Sequence, residues 1–322
     1  MKVLMTAALA ATAAFATTAQ AETWDMPTPY PDGNFHTQNI RQFVDDVSAA
    51  TDGAIEINVH SNGALMKATE IKRGVQSGQV QIGEVLISSL GNEDPIFAFD
   101  AVPGLVSDYD SAAKLWEAAA PTVKQHLEDQ GLVLLYTVPW PPQGVYSKDK
   151  LSSLADLSGK KFRTYNPATA RFGELNGANP VTVQAAEVPQ AFKTGMVDAM
   201  ITSGATGVDT QAWDYLSYYY DTQAFLPENM VFMSKSVFDG LDEDTQAALL
   251  EAAAAAEERG WAQSEELNEG YKATMAENGI NVVVPTDEMK AELAEIGDTM
   301  TAEWLESAGD DGQTIIDAYK AD

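Results

Sequence analysis

Residues 157–203 read LSGKKFRTYNPATARFGELNGANPVTVQAAEVPQAFKTGMVDAMITS, and this stretch decides the architecture. A short β-like run, Lys161–Arg163, precedes a turn and a helical segment, Ala168–Leu175. Strand-like Pro180–Val183, helical Ala186–Thr194 and strand-like Ala199–Thr202 follow in order. Strand and helix alternating at this spacing is βαβ logic, which favours an α/β fold with helices on the faces of a parallel sheet. Arg163 stands at the end of its strand. An arginine there can anchor an anion, because the guanidinium stays charged and its planar fork meets a carboxylate at two points. The competing reading is a surface arginine paired with one of the chain's many acids.

The same alternation extends upstream. Thr23–Met26 is extended and ends at Pro27-Thr28-Pro29-Tyr30-Pro31, a rigid loop; Asn34–Ala50 has helical spacing through Phe35, Ile40, Phe43 and Val47. Ile55, Ile57 and Val59 alternate as a strand does, and a helix over 68–77, a strand over 80–86, a helix over 111–130 and a strand over 132–138 follow. Pro139-Trp140-Pro141-Pro142-Gln143-Gly144 interrupts both kinds of element and reads as the first crossing between two lobes. Downstream, Met230–Ser234 is a return strand and 242–278 one Ala/Glu-rich helix, which at ~1.5 Å per residue exceeds 50 Å and runs across both lobes. Gly260 and Gly270 would bend or weaken it. Asn281–Val284 is a late strand, and two amphipathic helices around Trp304 end the chain. The limits expected are 22–140 plus about 227–268 for lobe I and 141–226 plus about 269–322 for lobe II.

Met1-Lys2, an apolar Ala-rich run and Ala19-Gln20-Ala21 form an export signal over 1–21, so the mature chain is expected to begin at Glu22 in the periplasm. No cysteine occurs among the 322 residues, which excludes disulfides, Fe–S sites and thiol catalysis. Against 19 Lys and Arg stand 48 Asp and Glu, a net charge of −29; such a field repels nucleic acid and anionic lipid. An anion pocket inside it needs its own concentrated positive charge, and Arg163 and Lys67 are the candidates.

Catalytic templates find no match. His36, His60 and His126 have no metal-binding spacing and read as structural or surface residues; no nucleophile elbow or phosphate loop is present. The expectation is a binding protein with no cofactor, no metal and no catalytic residue. Two α/β lobes joined by several crossings make a hinged clamp that closes on a small ligand.

Several spaced motifs in order resemble one family: FHTQNIRQFVDDVSAATDGAIEINVHSNGAL at 35–65, IKRGVQSGQVQIG at 71–83, DLSGKKFR at 156–163, NGANPVTVQAAEVPQAFKTGMVDAM at 176–200, and the long helix from Asp242. Together they cover essentially the whole mature chain and resemble the solute-binding proteins of tripartite ATP-independent periplasmic (TRAP) transporters, DctP type. The resemblance implies a two-lobed, type II-like periplasmic-binding-protein fold. It also implies capture of a small organic acid and delivery, as a monomer, to small and large TRAP membrane subunits that use an ion gradient. In that family the arginine of the G-x-K-x-R segment salt-bridges the ligand's carboxylate, and here Arg163 matches it. A second arginine frequent upstream is replaced by Gln143, and an asparagine after a later strand by Thr202 or Ser203, which points to a compact ligand with one acidic group. Family geometry places Tyr30, Lys67, Leu86 and Ser88 on one wall, and Trp140, Tyr165, Trp213 and Asn229 on or near the other. By helical spacing Trp213 is equally a core residue, whereas Trp140, among prolines, favours the pocket. Two other readings stay open: a binder of an amine or zwitterion held by Trp140 and Tyr165, and an exported hydrolase or lyase of similar shape.

Overall fold

The computed structural model describes residues 22–321; the expected export signal lies outside them. In the first lobe, β1 (Glu22–Pro27) leads through α1 (Phe35–Ala50) to β2 (Ile55–His60), and β1 and β2 pair in parallel. Asn34 starts α1 as its N-cap, its side chain accepting from the His36 amide at 2.9 Å. Next come α2 (Ala68–Gln76), β3 (Ile82–Leu86), α3 (Tyr109–Asp129) and β4 (Leu132–Pro139). The second lobe is built by β5 (Gln143–Ser147), β6 (Lys161–Thr164), α4 (Pro167–Leu175), β7 (Asn179–Thr182), α5 (Val188–Lys193), β8 (Ala199–Ser203), α6 (Gly204–Asp209) and β9 (Tyr218–Tyr220). The chain returns through β10 (Glu228–Ser234) and α7 (Lys235–Phe238), runs the length of α8 (Glu243–Glu277), and finishes with β11 (Asn281–Val283) and α9 (Asp287–Ala321).

The sheets are mixed rather than parallel throughout. In the first lobe β10 inserts antiparallel between β3 and β4; in the second the order is β11-β9-β5-β8-β6-β7, with β5 antiparallel to β8 and β9. The βαβ expectation holds for β6, β7 and β8, whose pairings are parallel. It fails where strands cross between lobes, because a chain that enters a sheet from the other lobe arrives in the opposite direction. The proline-rich crossing is also shorter than its composition implies. Prolines 141 and 142 make the turn, but Gln143 and Gly144 already belong to β5, where the Tyr219 ring fills the space a Cβ at Gly144 would need.

Helix α8 spans 35 residues, packing on α1 and β4 of the first lobe and on α6 of the second. Its glycines do not bend it. At Gly260 a Cβ would run into the Val138 methyls and the Asn39 amide, so the missing side chain lets the helix lie directly on β4. Gly270 faces open space. Helix α9 is two helices joined at Gly309, whose φ of 60° only glycine adopts freely. Its first half is tied to the 95–101 turn by Trp304 Nε1 donating to the Pro95 carbonyl at 2.8 Å.

These environments give opposite outcomes for one chemical change. Gly270→Ala raises unfolding free energy by about 0.5–1 kcal/mol through helix propensity. Gly260→Ala lowers it, because overpacking of about 1–3 kcal/mol offsets that gain. Urea unfolding followed by circular dichroism measures both, and equal effects would refute the close packing of α8 on β4.

Candidate functional site

The C-terminal ends of the parallel strands β6, β7 and β8 open into the cleft between lobes, the place where α/β sheets present ligand sites. Strand β6 delivers Arg163, which is only 2% exposed. Arg163 Nε donates to the Val183 carbonyl at 2.9 Å, and the guanidinium carbon lies 4.7 Å from the centre of the Tyr165 ring. Tyr165 is itself held, its hydroxyl donating to Gln143 Oε1 at 2.9 Å while Gln143 Nε2 donates to the Pro141 carbonyl at 2.8 Å. Both ends of the Gln143 amide are thereby engaged.

No carboxylate pairs with Arg163 among the described residues, and the titratable groups nearest it are the uncharged phenols of Tyr165, Tyr30 and Tyr215, whose pKa values burial raises. Burial pulls its pKa down from the usual 12.5 to about 10, with only those tyrosines opposing. A buried cation with terminal nitrogens aimed into a cavity is complementary to a carboxylate supplied from outside.

The facing wall rests on a second buried network. Glu84 of β3, 1% exposed, accepts from the Thr28 hydroxyl and from Asn229 Nδ2 at 2.8 Å. Asn229 Oδ1 accepts from Trp140 Nε1 at 2.9 Å and from the Tyr30 hydroxyl at 3.2 Å. The indole N–H can only donate, so Asn229 must turn its oxygen toward Trp140 and its NH₂ toward an acceptor, which is Glu84. Tyr30 and Trp140 then meet edge to face, 4.9 Å between centroids.

The cavity between these walls has about 60 Å³ of water-accessible space, where one water needs roughly 10–15 Å³. That volume is the size of a compact group of several heavy atoms. Of the residues singled out from sequence, Arg163, Gln143, Trp140, Tyr165, Thr202, Tyr30 and Leu86 line it together. The others lie elsewhere. Lys67 is an exposed residue at the start of α2, where its neighbour Ala68 reaches the cavity instead. Ser88 is buried and accepts from Asn166 Nδ2 at 2.9 Å, Ser203 caps α6, Asn229 stands behind Tyr30 and Trp140, and Trp213 packs on a hydrophobic cluster of the second lobe. Gln184, Ala185 and Thr206 were not foreseen, although each follows the end of a cleft-facing strand, which is the signal that could have found them.

Two hydrogen bonds cross the cleft: Asn166 to Ser88, and Asn34 Nδ2 to Asp209 Oδ2 at 2.6 Å. Behind Ser88, Asp100 accepts from the Glu228 amide at 2.7 Å, and both carboxyls are buried.

The fold defines a two-lobed protein whose interlobe cavity is lined by a buried guanidinium without a carboxylate partner among the described residues. The chain belongs to the DctP family of bacterial extracellular solute-binding proteins, family 7, whose model matches residues 28–307; these are the receptors of TRAP transporters. It is similar to DctP7, a Bordetella pertussis extracytoplasmic solute receptor binding pyroglutamic acid: 51% identity, 93% of this chain and 100% of that chain covered, TM-score 0.92. A marine-metagenome TRAP solute-binding protein specific for pyroglutamate, in complex with the co-purified ligand, is 44% identical with TM-score 0.93, over 94% of this chain and 100% of that one. Among curated relatives, the ectoine/5-hydroxyectoine-binding periplasmic protein UehA of Ruegeria pomeroyi is 26% identical over 317 residues, 95% of this chain and 92% of that protein. Members of this family are transport receptors that work with membrane subunits, and they are not enzymes.

Burial raises the Glu84 carboxyl from 4.5 to about 7, against hydrogen bonds from Thr28 and Asn229, and the Asp100 carboxyl from 3.8 to about 7, against bonds from the Glu228 amide and others. An acid raised on folding contributes stability that is complete below its unfolded value and is lost as pH rises through its folded one. The window therefore opens near 4 and closes beyond about 7. Melting temperatures of ligand-free protein followed across that window should show Glu84→Gln and Asp100→Asn each flattening the decline. Unchanged pH profiles in both variants would contradict the assignment.

Proposed function

We propose that this protein is the periplasmic receptor of a TRAP transporter for a small cyclic monocarboxylate of the pyroglutamate kind, carried to the periplasm by its own N-terminal signal. The single observation that carries the reading is Arg163, a buried guanidinium with no carboxylate partner among the described residues, opening into a cavity of compact-ligand size. The pyroglutamate bound by the relatives above is a five-membered ring bearing one carboxylate, and Gln143 leaves the site without a second cation for a diacid.

In the mechanism that follows, the ligand's carboxylate docks on the terminal nitrogens of Arg163 in the second lobe. Its ring fills the space against Tyr30, Trp140 and Leu86, and the contacts of Asn34 with Asp209 and Asn166 with Ser88 hold the lobes together over it. The closed state is favoured by its extra contacts with the ligand. The proposed limits of the lobes are 22–140 plus about 227–268, and 141–226 plus about 269–322, with α9 of the second part lying against α3 and the 95–101 turn of the first. The monomer hands its ligand to the small and large membrane subunits, and no bond is made or broken.

Isothermal titration of protein freed of ligand by unfolding and refolding tests this directly. L-Pyroglutamate binds the wild type, and Arg163→Ala loses at least about 30-fold in affinity, the lower end of the range for truncating one partner of a buried charge pair. Arg163→Lys, which keeps the charge and loses the fork, recovers only part of it. Binding of ectoine or a betaine with no response to simple carboxylates would sink the reading in favour of a zwitterion receptor, and turnover of the ligand during prolonged incubation would make the protein an enzyme.

A further inference from the structure

We infer that Gln184 is a specificity-determining residue that reads the amide of a lactam ring, so that the site selects a cyclic acid whose carboxylate is adjacent to a ring N–H. The inference rests on the function just proposed and concerns the half of the ligand that Arg163 does not touch.

The polar groups around the cavity can be sorted by what they already bond. The Tyr165 hydroxyl and both ends of the Gln143 amide are engaged with one another and with the Pro141 carbonyl. The Tyr30 hydroxyl and Trp140 N–H are both taken by Asn229. Among the described residues, the terminal nitrogens of Arg163, the Thr202 hydroxyl and the Gln184 amide make no side-chain hydrogen bond at all, whereas Gln143 keeps one N–H and one lone pair beyond its two bonds, Ser89 donates to the Leu86 carbonyl and Thr206 shares a contact with Ser203. Gln184 precedes a short turn of helix at 185–187 and makes no capping bond to it. Of the side chains that are wholly unbonded, only Gln184 combines a carbonyl acceptor with an NH₂ donor.

Its place is also defined. The Val183 carbonyl receives Arg163 Nε, so Gln184 begins one residue from the anchor and lines the same cavity. A lactam amide is held cis by its ring, so its N–H and C=O point to the same side. A primary amide is the complement of that edge: its oxygen accepts the ring N–H and its NH₂ donates to the ring carbonyl. In pyroglutamate the carboxylate and ring nitrogen share one carbon. A carboxylate on Arg163 therefore carries the N–H beside it, toward a neighbouring acceptor.

Three ring acids of nearly equal size separate the contributions in titrations of ligand-free mature protein: L-pyroglutamate, 5-oxotetrahydrofuran-2-carboxylate, which keeps the ring carbonyl and lacks the N–H, and cyclopentanecarboxylate, which lacks both. Wild type prefers them in that order. Gln184→Leu and, as a second variant of similar length, Gln184→Met weaken pyroglutamate by about 10- to 100-fold, the value of two neutral hydrogen bonds, and change cyclopentanecarboxylate by less than about 2-fold. Melting temperatures of the ligand-free variants report that both fold. Equal weakening of all three acids, no weakening of any, or a wild type that binds the lactone as tightly as the lactam overturns the role of Gln184 while leaving the arginine anchor intact. Failure of every carboxylate to bind wild type overturns the proposed function, and this inference with it.

Discussion

A guanidinium buried to 2% exposure without a carboxylate of its own is the constraint on which the cleft depends. Taking a charge out of water is costly unless it is paired, and this chain, with 48 acidic residues available, leaves Arg163 among tyrosines. The position is held through a sequence of ordinary contacts. Parallel pairing sets Arg163 opposite Val181 and Met200, the Val183 carbonyl fixes Nε, the Tyr165 ring supports the guanidinium, and Gln143 fixes Tyr165. The last member, the Pro141 carbonyl, belongs to the crossing between lobes, so a chain of hydrogen bonds and ring contact runs from that crossing to Arg163.

The first lobe solves a parallel problem with no cation. Trp140 needs an acceptor for its N–H, Asn229 provides it, and the orientation this forces on Asn229 requires an acceptor behind it, which is Glu84. Each wall thus engages most of its polar groups with its own supporting network and presents mainly ring faces and aliphatic surface to the cavity.

Much of this was legible in the chain. Period-3.6 and period-2 patterns located α1 and β2, Ala/Glu-rich composition located α8, and the family motifs drew attention to Arg163, which the structure places in the cavity lining. Strand order was not legible: the antiparallel insertion of β10 between β3 and β4 is a pairing between segments far apart in sequence, and no local pattern encodes it. The start of β5 at Gln143 was masked by the adjoining prolines and by Gly144, which reads as a strand breaker although the Tyr219 ring leaves no room there for a side chain. Glu84, Asp100 and Gln184 share a different obscurity. In a chain this acidic one more carboxylate carries no signal, and an amide becomes informative only when its neighbours are seen to be already bonded.

The most direct measurement is the stability of the ligand-free protein with Arg163→Met, which keeps the stem's volume and removes the charge. If the guanidinium waits for an external carboxylate, the variant melts at or above the temperature of ligand-free wild type while losing all ligand-induced stabilisation, because an uncompensated buried charge has been replaced by an apolar group. A variant that melts well below ligand-free wild type would show that the protein itself already satisfies the charge of Arg163, and the account of the cleft as an acid receptor anchored there would be wrong.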